Sequence, residues 1–338
     1  MAGTVDPTDI TTLSPLILGG ATLKQEYNEN PSQVPIVNIL KYAFSNGINA
    51  IDTSPYYGPS EAIYGDALDQ IRDEFPRNTY FICTKVGRIQ LDEFDYSREH
   101  VRFSVKRSCE RLRTDYLNLV YLHDIEFVPM SQTLEALKEL KKLKDEGIIK
   151  NFGLSGYPVD YLRRVTKHCF EKEPEIGPLD AVLSYCNLNL QNMLLKHHAD
   201  EWKQDSKLKS ISNGSILAMS LLRSQPTLSF HPCSQGLRTC ADNAARYCEQ
   251  NDTELADLAN KFALSEWLNN GPTVIGVSNL DELKAALSSY SIVKASNGVL
   301  SAGDKKLIEH IQSEIFGKHL NETWPSGIEH PASVQNST

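Results

Sequence analysis

Tyr80-Phe-Ile-Cys-Thr-Lys-Val86, a helical pattern over residues 98–113 and then Asn118-Leu-Val-Tyr-Leu-His123 make one strand–helix–strand unit. Both runs are short and rich in apolar and β-branched residues, as strands buried on both faces require. In the segment between them, Val101, Val105, Cys109 and Leu112 recur at helical spacing. Arg102, Lys106, Arg107 and Arg113 fall between these positions, so one face of the helix packs and the basic face meets water. Outward from this unit the alternation continues in both directions. Strand-like runs precede it at 15–19 and 49–53 and follow it at 151–155, 181–186, 208–212 and 273–277. Their starts lie roughly 30 residues apart, the length of a βαβ unit, with a wider gap before the last. Gly147 follows the lysine-rich helical pattern 134–146, where a C-terminal cap belongs. Eight such strands with right-handed crossovers predict a closed (β/α)8 barrel, an α/β TIM barrel, spanning 15–316 as one domain. An open doubly wound sheet calls for a G-x-G-x-x-G turn after an early strand, and Gly19-Gly20 does not supply it. Residues 1–14 read as an N-terminal extension and 317–338 as a poorly ordered tail. Residues 225–238, rich in Pro, Ser and Thr, read as a long loop over the C-terminal mouth.

Composition narrows the function. The 338 residues are 41% hydrophobic and 23% charged, ordinary for a globular protein with a sizeable core. A net charge of −9 argues against a nucleic-acid partner. The absence of an 18-residue apolar run argues against a membrane span. Seven scattered cysteines with no C-x-x-C pair favour reduced thiols, no structural metal and a cytoplasmic setting. The polar, acidic N-terminus lacks the features of a signal peptide. Oligomeric state is left open.

In a barrel of this type, chemistry gathers where strands finish. The second run ends on Asp52, the third carries Lys85 and the fourth ends on His123. Tyr57 lies in the loop five residues after Asp52. Taken singly, Asp52 could cap a loop, Tyr57 could be one of fourteen ordinary tyrosines and His123 a satisfied core residue. Lys85 is different, because a lysine near a barrel interior needs a partner for its charge, and Asp52 supplies one from the neighbouring strand. A lysine beside a phenol is expected to lower the phenol's pKa, which makes a proton shuttle. A nearby histidine can then orient a hydroxyl or carbonyl.

Ile51-Asp-Thr-Ser-Pro-Tyr-Tyr-Gly-Pro-Ser-Glu61, Thr84-Lys85, Leu122-His123 and Asn151-Phe-Gly-Leu-Ser155 together resemble the signature of the aldo-keto reductase family. The likeness runs from about residue 16 to 287. It implies a catalytic set of Asp52, Tyr57, Lys85 and His123, and it selects Tyr57 over Tyr56. Phe94-Asp-Tyr-Ser97, His123-Asp-Ile-Glu-Phe127, Leu183-Ser-Tyr-Cys-Asn187, Leu217-Ala-Met219 and His231-Pro-Cys233 carry a narrower likeness. It is to the branch of that family that oxidises the anomeric hydroxyl of aldoses, D-arabinose in fungi and L-galactose in plants. That branch implies an aldonolactone product, NAD as cofactor and a place in ascorbate-type biosynthesis.

The resemblance also places the dinucleotide. NADP-preferring relatives carry Lys at the position of Gly276 and Arg at that of Glu282. Here both cations are missing, and Glu282 would repel a 2′-phosphate while accepting from a free ribose hydroxyl. Glu282 can also be a first-turn acid complementing a helix dipole; the two roles are compatible, and both favour NAD. Ser155 and Tyr185 are candidates for the nicotinamide, Ser215 and Leu217 for the pyrophosphate, Ser278 and Asn279 for the ribose end. Gly156, Leu183 and Gly214 replace residues common in the family, so the carboxamide contacts differ from the family pattern. Two other readings compete: an NADPH-dependent aldehyde or ketone reductase, and a cofactor-binding regulatory subunit of the same fold. The first is opposed by Gly276 with Glu282, the second by the intact set of four polar residues.

Overall fold

A computed structural model describes residues 3–328. Among them, eight strands close a parallel barrel in chain order: β1 (Leu16–Gly19), β2 (Ala50–Asp52), β3 (Phe81–Val86), β4 (Leu117–Leu122), β5 (Ile149–Gly156), β6 (Ala181–Tyr185), β7 (Ser210–Gly214) and β8 (Thr273–Gly276). Pairing of Leu16–Gly19 with Thr273–Gly276 closes the ring. All eight runs expected from the sequence are strands.

Helices α1 (Ile36–Ser45), α2 (Ser60–Gln70), α3 (Arg98–Arg111), α4 (Met130–Asp145), α5 (Val159–Lys172) and α6 (Leu194–Ser206) follow the first six strands. The basic side of α3 is largely paired: Arg102 reaches Glu139 and Glu146, and Arg113, just beyond the helix, reaches Asp66 and Asp69. Its packed face uses Ser104 and Ser108 alongside Val101 and Val105, while Cys109 is half-buried. Gly147 ends the α4 turn at φ +78°, with its N–H on the Lys144 carbonyl.

Two features depart from the sequence reading. The wide gap before β8 holds two helices, α7 (Gln235–Glu249) and α8 (Leu255–Trp267). The loop over the mouth therefore ends at Ser234, which caps α7 through the Leu237 N–H, and Arg238 is helical. The tail is the second. After β8 come α9 (Leu280–Ala295) and α10 (Ala302–His310), and the chain beyond Phe316 packs as far as residue 328. Trp324 is buried and stacks on Tyr157 at 4.6 Å, and Ser326 donates to Glu126. An apolar anchor between polar residues escapes a reading by composition. The rest of the expected tail, 329–338, lies outside the described residues.

The N-terminal extension plugs the barrel. Ile10 and Leu13 pack with Ile17, Ala50, Phe81, Cys83, Leu119 and Tyr121, which fill the barrel interior. Among the described residues no helix is long and apolar enough to cross a membrane.

Candidate active site

Because every strand is parallel, the C-terminal ends of all eight open on one mouth. Lys85, near the end of β3, is 1% exposed, and its Nζ donates to Asp52 Oδ1 at 2.5 Å and to the Thr53 carbonyl at 3.0 Å. Burial opposes its charge, but Asp52 and the Tyr57 phenol outweigh burial and hold the ammonium above its ordinary pKa. Ser54 caps a single 3-10 turn, Pro55–Tyr57, that swings Tyr57 over the mouth. The Lys85 Nζ then lies 4.9 Å from the Tyr57 ring centroid, and His123 meets the same ring edge-on at 5.6 Å. The four residues named from the sequence are brought together.

The phenol behaves differently from the sequence expectation. Burial pushes Tyr57 up to about 12, Asp52 and Asp124 add to the rise, and Lys85 pulls the other way without cancelling it. The expected net lowering by the lysine is therefore corrected: one buried cation, already neutralised by Asp52, does not offset loss of solvent around a phenolate. His123 is held well below its ordinary pKa by burial and then by the Lys85, Arg88 and Lys24 cations, so it is a neutral imidazole. Its Nδ1 lies 3.0 Å from Ser54 Oγ, its backbone N–H donates to the Val86 carbonyl, and Tyr96 donates to its backbone carbonyl.

Several residues around this set were not singled out beforehand. Arg88 forms a buried ion pair with Asp124 and lies over the Tyr56 ring at 4.2 Å; Lys24 lies 3.7 Å from that ring's centroid. Asp124 has left-handed backbone, φ +58°, directly after His123, the kind of local strain that gathers at functional sites. The available signal was the pair of motifs quoted above: Phe94 stacks on Phe127 at 5.0 Å, so 94–97 and 123–127 form one packed unit around His123.

The cofactor candidates occupy the remaining strand ends. Ser155 is buried at the end of β5, with Oγ donating to the Leu122 carbonyl at 3.3 Å. Tyr185 ends β6, tilted against Tyr157 at 5.6 Å. Ser215 follows β7 at φ +56° and accepts the Met219 N–H at 3.0 Å, while Leu217 caps the next 3-10 turn. Ala218, Met219 and Ser220 also have positive φ, an uncommon run for residues with side chains. Gly276 is exposed at the end of β8, where an added Cβ would meet Thr22 at 3.0 Å. Glu282 Oε2 accepts the Ser278 N–H at 2.7 Å, Oε1 accepts from Asn279 Nδ2 at 2.9 Å, and the Glu282 N–H donates to Asn279 Oδ1 at 2.9 Å. This reciprocal cap at the start of α9 engages both carboxylate oxygens, so Glu282 does act as a helix-start acid. Gly156 also has a local reason: a side chain there would run into Glu126 Oε2 at 2.4 Å.

Residues 15–307 match the profile of the Aldo/keto reductase family. A D-arabinose 1-dehydrogenase of Saccharomyces cerevisiae is 58% identical over 330 residues, 98% of each chain. An L-galactose dehydrogenase of Arabidopsis thaliana is 32% identical over 295 residues, 86% of this chain and 87% of that one. Among solved structures, a glycerol dehydrogenase from Gluconobacter oxydans has a TM-score of 0.64 at 20% identity, over 97% of this chain and 99% of that chain. At such identity the last likeness speaks for the fold alone.

Proposed function

The chain belongs to the aldo/keto reductase family, and from that premise we propose that it is an NAD-dependent aldose 1-dehydrogenase. Its proposed substrate is D-arabinose or a sugar alike around C1, such as L-galactose, and its product the aldonolactone that ascorbate-type synthesis would consume. The observation that carries the reading is the buried Lys85–Asp52 pair set beneath Tyr57 and beside His123. The sugar follows from the names of the two relatives.

The residues at the mouth fit a nicotinamide dinucleotide. The positive-φ turn after β7 and the side-chain-free end of β8 at Gly276 leave backbone open to a ligand's close approach. Ser155 and Tyr185 would hold the nicotinamide end, Ser215 and Leu217 the pyrophosphate, and Gly276, Ser278 and Asn279 the adenosine end. When bound, the cofactor supplies the hydride acceptor. The chain's part is to move one proton: the Tyr57 phenolate takes it from the C1 hydroxyl, while His123 donates a hydrogen bond to that oxygen. Lys85 stabilises the phenolate, and Asp52 keeps Lys85 charged in place. NAD is favoured over NADP because Glu282 adds negative charge and ties up the Ser278 N–H and the Asn279 side chain that a 2′-phosphate would need. Seven free cysteines suit a reducing, cytoplasmic setting.

Product analysis tests this reading. With D-arabinose and NAD, carbon-13 spectra are expected to show the lactone forming first and the open aldonate only later by hydrolysis. No lactone, or no oxidation of any pentose or hexose aldose, would overturn it.

A further inference from the structure

We infer that Ser54 is a positioning residue that fixes the tautomer of His123 and couples it to the turn carrying Tyr57; the consequence for catalysis rests on the function proposed above. Ser54 is fully buried and has one hydroxyl hydrogen. Its Oγ accepts the Tyr56 N–H at 3.1 Å and lies 3.0 Å from His123 Nδ1. If Nδ1 carried the imidazole proton, Oγ would accept twice and its own hydrogen would be left buried without an acceptor. If Nδ1 is bare, the serine hydroxyl donates to it, and Ser54 Oγ, its hydrogen and Nδ1 are all satisfied, which leaves the Nε2–H facing the mouth. The neutral imidazole therefore carries its proton on Nε2.

The far side of the ring agrees. His123 Nε2 lies 3.6 Å from Asp124 Oδ2, beyond a hydrogen bond, and the ion pair with Arg88 keeps that carboxylate an acceptor. Nothing there demands a bare Nε2. An Nε2–H can be offered to the substrate oxygen, which is what orienting a C1 hydroxyl requires. The same Oγ caps the 3-10 turn on which Tyr57 sits. One hydroxyl thus orients the hydrogen-bond donor and the turn that presents the proton acceptor.

The test uses the full chain, free of ligand, with nitrogen-15 in its histidines and the His123 signals assigned by their loss in His123→Asn. Wild type is expected to show a bare Nδ1 and a protonated Nε2 across neutral pH. Ser54→Ala is expected to lose that pattern, moving both nitrogens toward tautomer averaging, and to lower kcat with D-arabinose about tenfold or more with little change in KM. Ser54→Thr, which keeps a hydroxyl, is expected to restore both. An unchanged Nε2–H pattern in Ser54→Ala overturns the inference even if wild type oxidises sugars. A pattern lost in Ser54→Ala while wild type oxidises no aldose supports the role of Ser54 and overturns only the proposed substrate.

Discussion

Tyr56 and Tyr57 are neighbours in sequence, but they lie beside different cations, two at Tyr56 and one at Tyr57. The ring of Tyr56 faces Lys24 and Arg88, whereas Tyr57 sits over Lys85. Tyr57→Phe is therefore expected to cut oxidation at least about a hundredfold while NAD still binds, as measured by turnover and by fluorescence titration. Tyr56→Phe should keep most activity; the reverse pattern would assign the proton transfer to Tyr56. With its phenol raised to about 12, Tyr57 is mostly protonated at neutral pH. Since the oxidative direction needs the phenolate, the rate should climb with pH through the accessible range. Lys85→Met removes the one influence that lowers the phenol, so activity should fall and the profile move to higher pH. A flat profile with chemistry rate-limiting would contradict this. Lys85 itself was legible in the sequence, because a lysine in a β-run demands a carboxylate partner. The net pKa of Tyr57 was not, because it depends on how much water the fold removes from the phenol.

Two elements set what the mouth holds. The start of α9 bears on the dinucleotide: Glu282→Arg with Gly276→Lys replaces an internal acceptor by two cations. The kcat/KM ratio should then shift toward NADP by roughly tenfold or more, at some loss of helix capping. An unmoved ratio would place the ribose elsewhere. The segment 317–328 bears on the rim, and Glu126 anchors it: its carboxylate accepts from Ser326 Oγ and from the neighbouring Tyr157 N–H, and its backbone carbonyl accepts from the Ile328 N–H. Burial, with Asp124 nearby, pushes Glu126 up to about 8 from its ordinary value of 4.5. A carboxyl raised on folding contributes stability that is fully present below pH 4.5 and lost as pH rises toward about 8. Glu126→Gln should accordingly raise Tm at pH 8 and change it little at pH 5. An equal effect at both pH values would show that Glu126 does not titrate in this window. The α7 helix was readable in principle, since Leu237, Ala241, Ala244 and Cys248 follow a capping Ser234 at helical spacing. The Pro- and Ser-rich stretch before it masked the start.

At the scale of the molecule, the barrel was legible because eight buried parallel strands must read as short apolar runs spaced by helices. The closures at its two ends were not. Each depends on a few apolar residues in polar surroundings: Ile10 and Leu13 below, Trp324 above. Ile10, 1% exposed under the barrel, should cost about 2–5 kcal/mol on truncation to alanine, measured by urea unfolding. A cost near zero would mean that the plug is dispensable. The positions of the four mouth residues are a consequence of barrel closure, and their proposed joint action is the centre of the account. Initial rates of nicotinamide reduction with D-arabinose, taken with NAD and with NADP on the wild-type chain, test it most directly. Rapid reduction of NAD is expected, with kcat/KM for NADP lower by about tenfold or more; equal or better use of NADP, or no reduction of either, would contradict the proposed joint action.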